Sequence, residues 1–308
     1  MDSNKIVFMF SGQGAQYSGM GRELYENSAA ARAVFDLAES IRPGTMAQCF
    51  SGSEEELAVT ENTQPCVFCV DLAAAAALEE AGIKADMLAG FSLGELPALA
   101  FSGSISYEEG FKLVCKRAVF MQKAATATDA GMAAILRLSN DEVERLCKEF
   151  KNLCPANYNS PGQVVVAGTM GELELLKDKV SEAGGRFMPL KTGGGFHSPF
   201  MLAASADFAL ELASYDIGKP NMPIYSNVTA SEYDGDMKTL LAKQISSPVK
   251  WEESVRNMIS AGAGIFIEVG PGKTLCGLVQ RISEDVRVFN VEDIESLEKT
   301  LLELGIRN

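Results

Sequence analysis

One histidine, His197, and one tryptophan stand in the 308 residues. Chemistry that needs imidazole therefore has a single candidate, and a metal site built from several histidines is excluded. The seven cysteines are scattered and odd in number, the pattern of reduced thiols and not of a disulfide framework. Cys66 and Cys69 form a CxxC inside the apolar stretch QPCVFCVDLAAAAALEEAG. With no second CxxC or nearby His, they read as small helix-packing residues. No uncharged apolar run reaches the roughly 18 residues that a membrane helix needs. Residues 1–10, MDSNKIVFMF, read as a buried first strand and lack the long apolar region and small-residue cleavage site of a signal peptide. The expectation is a cytoplasmic protein. Basic charge is also scarce, with 27 Lys plus Arg against 41 Asp plus Glu and a net charge of −14. That argues against general binding to nucleic acid or an anionic membrane and leaves room only for a local basic patch.

A chain this long buries roughly 75% of its unfolded surface and needs no metal or disulfide staple. Its 47% hydrophobic and 22% charged residues are ordinary for a globular protein. Strands and helices alternate from the start, which points to an α/β fold with a parallel-sheet core. KIVFMF (5–10) is a strand followed by the Gly-rich turn SGQGAQYSGMG. Helices are expected through about 22–41 and 65–81, then a strand at 86–91, a helix at 93–101 with Pro97 in its first turn, and an amphipathic helix at 107–124. The small polar run ATATDAG reads as a boundary. Beyond it, strand MAAILRL, a helix opened by the capping box Ser139-x-x-Glu142, strands PANYNS and QVVVAGT, helix GELELLKDKVSEAGG and strand RFMPLKT follow in turn. That β-α-β-β-α-β order predicts a ferredoxin-like subdomain at 128–192. It would be inserted into a larger α/β domain formed by 1–127 and 193–308. Further on, the pattern predicts helix 199–213, strand 222–226, helices 236–246 and 251–262, strand IFIEV (265–269) and helix 274–283.

Gly90-Phe91-Ser92-Leu93-Gly94 is G-x-S-x-G with an apolar strand before it and a helix after it, the context of a nucleophile elbow. The tight turn demands small flanking residues and leaves the Ser92 hydroxyl at a helix N-terminus with backbone N–H groups beside it. A serine nucleophile needs a base. His197, in Gly193-Gly194-Gly195-Phe196-His197-Ser198-Pro199, is the one imidazole available and stands on a Gly-rich loop at a domain junction. Two glycine motifs point elsewhere and fail. Gly12-Gln13-Gly14 has Tyr17 where a dinucleotide fingerprint needs its third Gly, and GPGKT has Ile267 where a P-loop needs its first Gly and Pro271 where the phosphate nest needs an amide. The Gly12-Gln13-Gly14 turn suits an oxyanion hole instead. Arg117 has Leu113, Val114, Phe120 and Met121 at helical-neighbour spacing and is expected to be buried. On spacing alone a structural Asp or Glu partner is the better reading, although an acyl group with a free carboxylate on Ser92 would give Arg117 a specific task.

Taken in order, FMFSGQGAQYSGMGREL, TENTQP, GFSLGE, KRAVFMQ, PANYNSPGQVVVAG, GGGFHSPFM, KQISSPVKWEESV and IEVGPGKTLCGLVQRI resemble the malonyl-CoA:acyl carrier protein transacylases of fatty-acid synthesis and the related acyltransferase domains of polyketide synthases. The resemblance covers nearly the whole chain and implies a hydrolase-like α/β domain with a ferredoxin-like insertion. It further implies a Ser–His dyad, with Ser92 acylated and His197 its base. Backbone amides of Gln13 and Leu93 would form the oxyanion hole, Arg117 would clamp the malonyl carboxylate, and the Gln244 carbonyl would orient His197. Gln64 and Asn157 match family polar positions near the pocket. Phe196 fits the malonyl-type pattern, where methylmalonyl-type domains more often have Ser. Three positions depart from the family: Phe91 in place of the usual His, Ser11 in place of a common Pro, and Pro97 in place of Ala or Ser. On the resemblance, Phe91 would border the acyl pocket. The expected partners are malonyl-CoA and acyl carrier protein, with no metal or redox cofactor, and the expected state is a monomer. The rivals are a stand-alone acyltransferase serving a polyketide synthase, a serine thioesterase or other hydrolase, and a nucleotide-binding module using GPGKT.

Overall fold

The computed structural model describes residues 5–306. The first strand, β1 (Lys5–Phe10), lies at the centre of a five-stranded parallel sheet beside β2 (Met87–Gly90), and the four strands of a second, antiparallel sheet intervene before the rest of the parallel one. Those inserted strands are β3 (Ala130–Leu136), β4 (Cys154–Ser160), β5 (Gln163–Thr169) and β6 (Arg186–Pro189). β7 (Ile224–Tyr225), β8 (Ala263–Val269) and β9 (Arg287–Val291) complete the parallel sheet in the order β7-β2-β1-β8-β9. β1 shows why the sheet is sandwiched. Phe8 and Phe10 pack into the core that includes the helix Thr60–Glu80, while Val7 and Met9 pack on the opposite side with Val249, Trp251 and Val255. A parallel strand covered on both faces is apolar at consecutive positions, which is what KIVFMF spells.

The inserted strands form a second sheet, antiparallel, in the order β4-β5-β3-β6. Alternation along β3 divides its work. Ala133 and Ile135 join Leu173, Leu176 and Val180 in a small core under the helices Asn140–Cys147 and Met170–Glu182, whereas Met132 and Ala134 face the large domain. The Ser139–Glu142 capping box is present. Main-chain bonds from Tyr158 N–H to the Val249 carbonyl and from Val249 N–H to the Ala156 carbonyl, each 2.9 Å, tie the second sheet to the large domain.

Several elements differ from the sequence reading. The helix expected over 22–41 breaks at Ser28, which is extended and accepts a hydrogen bond from Ala31 N–H, so that Arg22–Asn27 and Ala29–Ile41 are separate helices. Two short helices, Thr45–Ser51 and Glu54–Ala58, were not expected. The next helix starts at Thr60, so Pro65 lies inside it and not at its first position. Burial of almost every residue of that helix offsets the lost backbone bond. The sequence reading also ended before β9 and the helix Ile294–Glu303, which close one edge of the sheet. Of the expected strand at 222–226, Ile224 and Tyr225 pair with β2. Residues 1–4 of the proposed first strand lie outside the described residues.

Candidate active site

The carboxyl ends of β1, β2 and β8 open into a cavity of about 380 Å³ lined by Gln13, Phe91, Ser92, Leu93, Arg117, Asn157, Phe196 and His197. Open α/β sheets place ligands at this edge. The turn after β2 is as tight as the motif implies. A Cβ on Gly90 would come within 1.9 Å of the Gly94 carbonyl carbon, and one on Gly94 within 2.3 Å of the Phe10 carbonyl oxygen. Both obstacles are backbone, so only glycine fits at either position. Ser92 and His197 both carry a left-handed backbone, with φ of 55° and 56°. Such conformations cost about 1–3 kcal/mol each in non-glycine residues and gather where geometry serves chemistry.

His197 Nε2 lies 2.6 Å from Ser92 Oγ, and its Nδ1 lies 2.9 Å from the Gln244 carbonyl oxygen. A carbonyl only accepts, so Nδ1 carries the proton and Nε2 is left to accept from the serine hydroxyl. No carboxylate is needed to set this tautomer. Burial, followed by the charge of Arg117, lowers the His197 pKa to about 4. The imidazole is therefore neutral, and a competent base, across the physiological range.

Arg117 comes from the helix Tyr107–Thr126 and is 2% exposed. The structural Asp or Glu partner favoured by spacing is not what it meets. Its Nη1 donates to Gln64 Oε1 (2.6 Å), and its Nη2 donates to Gln244 Oε1 (2.9 Å) and to Ser92 Oγ (3.2 Å). Two neutral amides and the nucleophile thus surround a buried cation, and burial lowers its pKa to about 10, which still leaves it charged. Among the described residues no carboxylate forms a salt bridge with it. The guanidinium remains available to an incoming anion.

The remaining site residues of the sequence reading fall around the same cavity. Gln13 and Leu93 line it at the ends of β1 and β2. Neighbouring amides are already spent, with Ser92 N–H on Asn227 Oδ1 and Gly14 N–H on Gln16 Oε1, both at 2.7 Å. The Gln13 side chain donates to Thr60 Oγ1 at 3.2 Å. Phe91 packs edge-on against Trp251, ring centroids 5.5 Å apart, so the apolar residue at this position is part of a packed aromatic wall. Asn157 enters from β4 and Phe196 from the His197 loop. Ser11, the other departure in the first loop, donates to the buried Asp71 carboxyl at 2.7 Å. The GPGKT turn is not a phosphate nest, because Gly272 N–H donates to the Glu292 carboxylate at 2.8 Å, and negative charge already occupies the place.

Sequence reasoning missed Asn227, Tyr233 and Glu95. Asn227 Nδ2 donates to the Gly90 carbonyl (2.7 Å) and its Oδ1 accepts the Ser92 N–H, so one side chain braces both sides of the elbow. Glu95 is fully buried beneath it. A charged residue opening the otherwise apolar helix ELPALAF was the available signal.

Residues 7–299 match the family model described as the acyl transferase domain. The chain belongs to that family. Among curated relatives of this acyltransferase, a malonyl CoA-acyl carrier protein transacylase from Bacillus subtilis (strain 168) is 37% identical over 99% of both chains. One from Staphylococcus aureus (strain MRSA252) is 35% identical over 96% of this chain and 98% of its own. A solved malonyl CoA-acyl carrier protein transacylase from Clostridium perfringens superposes with a TM-score of 0.95 at 39% identity, covering 98% of this chain and 97% of its own. A malonyl-transacylase solved in complex with a type II PKS acyl-carrier protein superposes at 0.93 with 32% identity, covering 97% and 100%. The acyltransferase fold is therefore shared over essentially the whole length, second sheet included.

Proposed function

We propose that this acyltransferase moves a malonyl group from malonyl-CoA to the phosphopantetheine thiol of an acyl carrier protein, through a malonyl ester on Ser92, in fatty-acid synthesis. The observation that carries the malonyl assignment is the buried Arg117 guanidinium, held by amides and not by a carboxylate, with Nη2 3.2 Å from Ser92 Oγ. A carboxylate one methylene beyond the acyl carbon falls within its reach.

In this reading His197 Nε2 takes the Ser92 proton as Oγ adds to the thioester carbon. The tetrahedral oxyanion is held by the amides of Gln13 and Leu93. Preorganised donors of this kind are each worth about 3–4 kcal/mol in acyl transfer. Collapse breaks the C–S bond, and the imidazolium returns its proton to the CoA sulfur. The carrier thiol then gives its proton to His197 and attacks the ester, and Ser92 leaves with that proton. The Gln244 carbonyl holds the imidazole throughout. Phe91, Phe196, Gln64 and Asn157 shape the pocket, and no metal or redox cofactor enters a step. No helix among the described residues is long and apolar enough to cross a membrane. A monomer working in the cytoplasm completes the proposal.

Arg117→Ala tests the assignment. Losing one partner of a buried charge pair typically costs about 2–5 kcal/mol, so the ratio of malonyl to acetyl loading should fall about 30-fold to a few thousand-fold. Initial rates of acyl-enzyme formation, read by intact-mass spectrometry with malonyl-CoA and acetyl-CoA, measure it. Equal loss with both donors would make Arg117 a structural residue. No change with either would place it outside the acyl pocket.

Carrier docking should use positive charge at the cavity mouth, because a protein of net charge −14 otherwise repels an acidic partner. Lys191 is exposed and lines the mouth, whereas Lys112 is tied to Glu108 at 2.6 Å. Lys191→Ala should slow transfer from the acyl-enzyme to carrier protein, and the effect should shrink as salt rises toward about 0.5 M. Lys112→Ala should do much less. Equal rates for the two variants at low salt would remove Lys191 from the docking surface.

A further inference from the structure

Glu95 opens the helix behind the nucleophile and is fully buried. Three donors converge on its carboxyl group. Asn227 backbone N–H donates to Oε1, while the Tyr233 hydroxyl (2.8 Å) and Gln244 Nε2 (2.9 Å) donate to Oε2. Every neighbour in contact offers a hydrogen, so the arrangement suits the carboxylate and not the acid.

The bond to Gln244 has a consequence one step further on. A carboxamide donates from one end and accepts at the other. With its Nε2 held by Glu95 and by the Ser92 carbonyl (2.6 Å), the Gln244 Oε1 is turned toward Arg117 Nη2 at 2.9 Å. The opposite orientation would set N–H groups against a guanidinium that has no acceptor. Glu95 also compensates the buried cation across the amide without touching it. A direct Glu–Arg pair would fill the guanidinium edge that a substrate carboxylate needs.

We propose that Glu95 is a positioning residue that fixes the orientation of the Gln244 carboxamide, and through it the Arg117 guanidinium, and so governs the preference for a carboxylate-bearing acyl group over a neutral one. It rests on the reading of Arg117 as the malonyl clamp. The titratable groups facing Glu95 are Arg117 and Tyr233, with His197 on the far side of Gln244. Burial raises the Glu95 pKa to about 7, with its hydrogen bonds and Arg117 acting the other way. The anion is the working form, so the preference for malonyl should strengthen as pH rises through neutrality.

Glu95→Gln supplies the test. The new amide keeps a single acceptor oxygen for three donors and carries no charge, so its hold on Gln244 weakens and the buried Arg117 loses its compensating anion. At pH 8 the ratio of malonyl to acetyl loading, from initial rates of mass gain, should drop about 10- to 100-fold, since hydrogen bonds to charged groups carry that much. The wild-type ratio should rise between pH 6 and 8 with a midpoint near 7, and the variant ratio should be low and flat. Tyr233→Phe removes one donor and leaves the Gln244 contact, so it should move the midpoint upward while keeping the preference. It decides the matter if Glu95→Gln does not fold. Equal loss of malonyl and acetyl loading in Glu95→Gln would overturn the proposal, because Glu95 would then serve the elbow through Asn227. A wild-type ratio independent of pH would overturn it as well. A wild-type protein that takes no malonyl onto Ser92 would sink the functional reading itself and this proposal with it.

Discussion

Ser92→Ala is expected to give a folded protein that gains no malonyl mass when mixed with malonyl-CoA. The side chain is half-buried and alanine is smaller by a single oxygen, so the turn formed by Gly90 and Gly94 survives. The positive φ of 55° is no harder for alanine than for serine. What disappears is the atom that bonds to both His197 Nε2 and Arg117 Nη2. Neither neighbour can replace it as an acceptor of the acyl group in this geometry. Cys115, Cys154 and Cys276 offer no substitute either, since burial raises their thiols above the ordinary range, and the thiolate is the reactive form. Intact-mass spectrometry decides the point. A malonyl adduct on the variant would mean that another residue is the nucleophile. A thermal melt displaced by tens of degrees would mean that Ser92 is first a structural residue.

His197→Ala should slow acylation about 100- to 10,000-fold, the range that general-base assistance supplies. No second imidazole exists to take over. The pH profile adds a sharper test. The His197 pKa is lowered to about 4, and only the neutral ring can accept the serine proton. The acylation rate with acetyl-CoA, which bypasses the clamp, should therefore be level from about pH 5.5 to 8 and fall as pH drops through 4 to 5. A histidine of ordinary pKa would instead show the fall between 6 and 7. Rapid acylation of the alanine variant at neutral pH would dismiss the dyad. An acid limb centred near 6.5 would mean that the ring is less buried in solution than it is here.

The second sheet was readable because its signals are local. The Ser139–Glu142 capping box, the glycine after the helix and the alternation along the strands each act within a few residues, and together they spell the β-α-β-β-α-β order. The short helix Thr45–Ser51 and the edge strand Arg287–Val291 gave no such signal, and Glu54–Ala58 gave only the cap pattern Ser53-x-x-Glu56, which went unread. They are too short for a periodicity to develop, so packing largely decides them. The helix expected from about 65 begins instead at Thr60, with Pro65 inside it, where burial of the whole helix overrides the local cost of a proline.

By itself the sequence determined the elbow, because G-x-S-x-G stands between an apolar strand and a helix, and it determined the base, because there is one imidazole. It also placed Arg117 on the apolar face of its helix. Only the tertiary structure decided what these groups meet. Ser92 and His197 are 105 residues apart, Arg117 and the Gln244 side chain 127, and Ser92 and the Asn227 that holds its amide 135. Hydrogen-bond partners across such distances follow no period and leave no composition signal. Spacing therefore favoured a carboxylate for Arg117, whereas the fold supplies two amides and keeps the carboxylate of Glu95 one side chain away. In a buried site the energy of a cation depends on what it touches, and those contacts are made by strands and loops that the chain brings together only when folded.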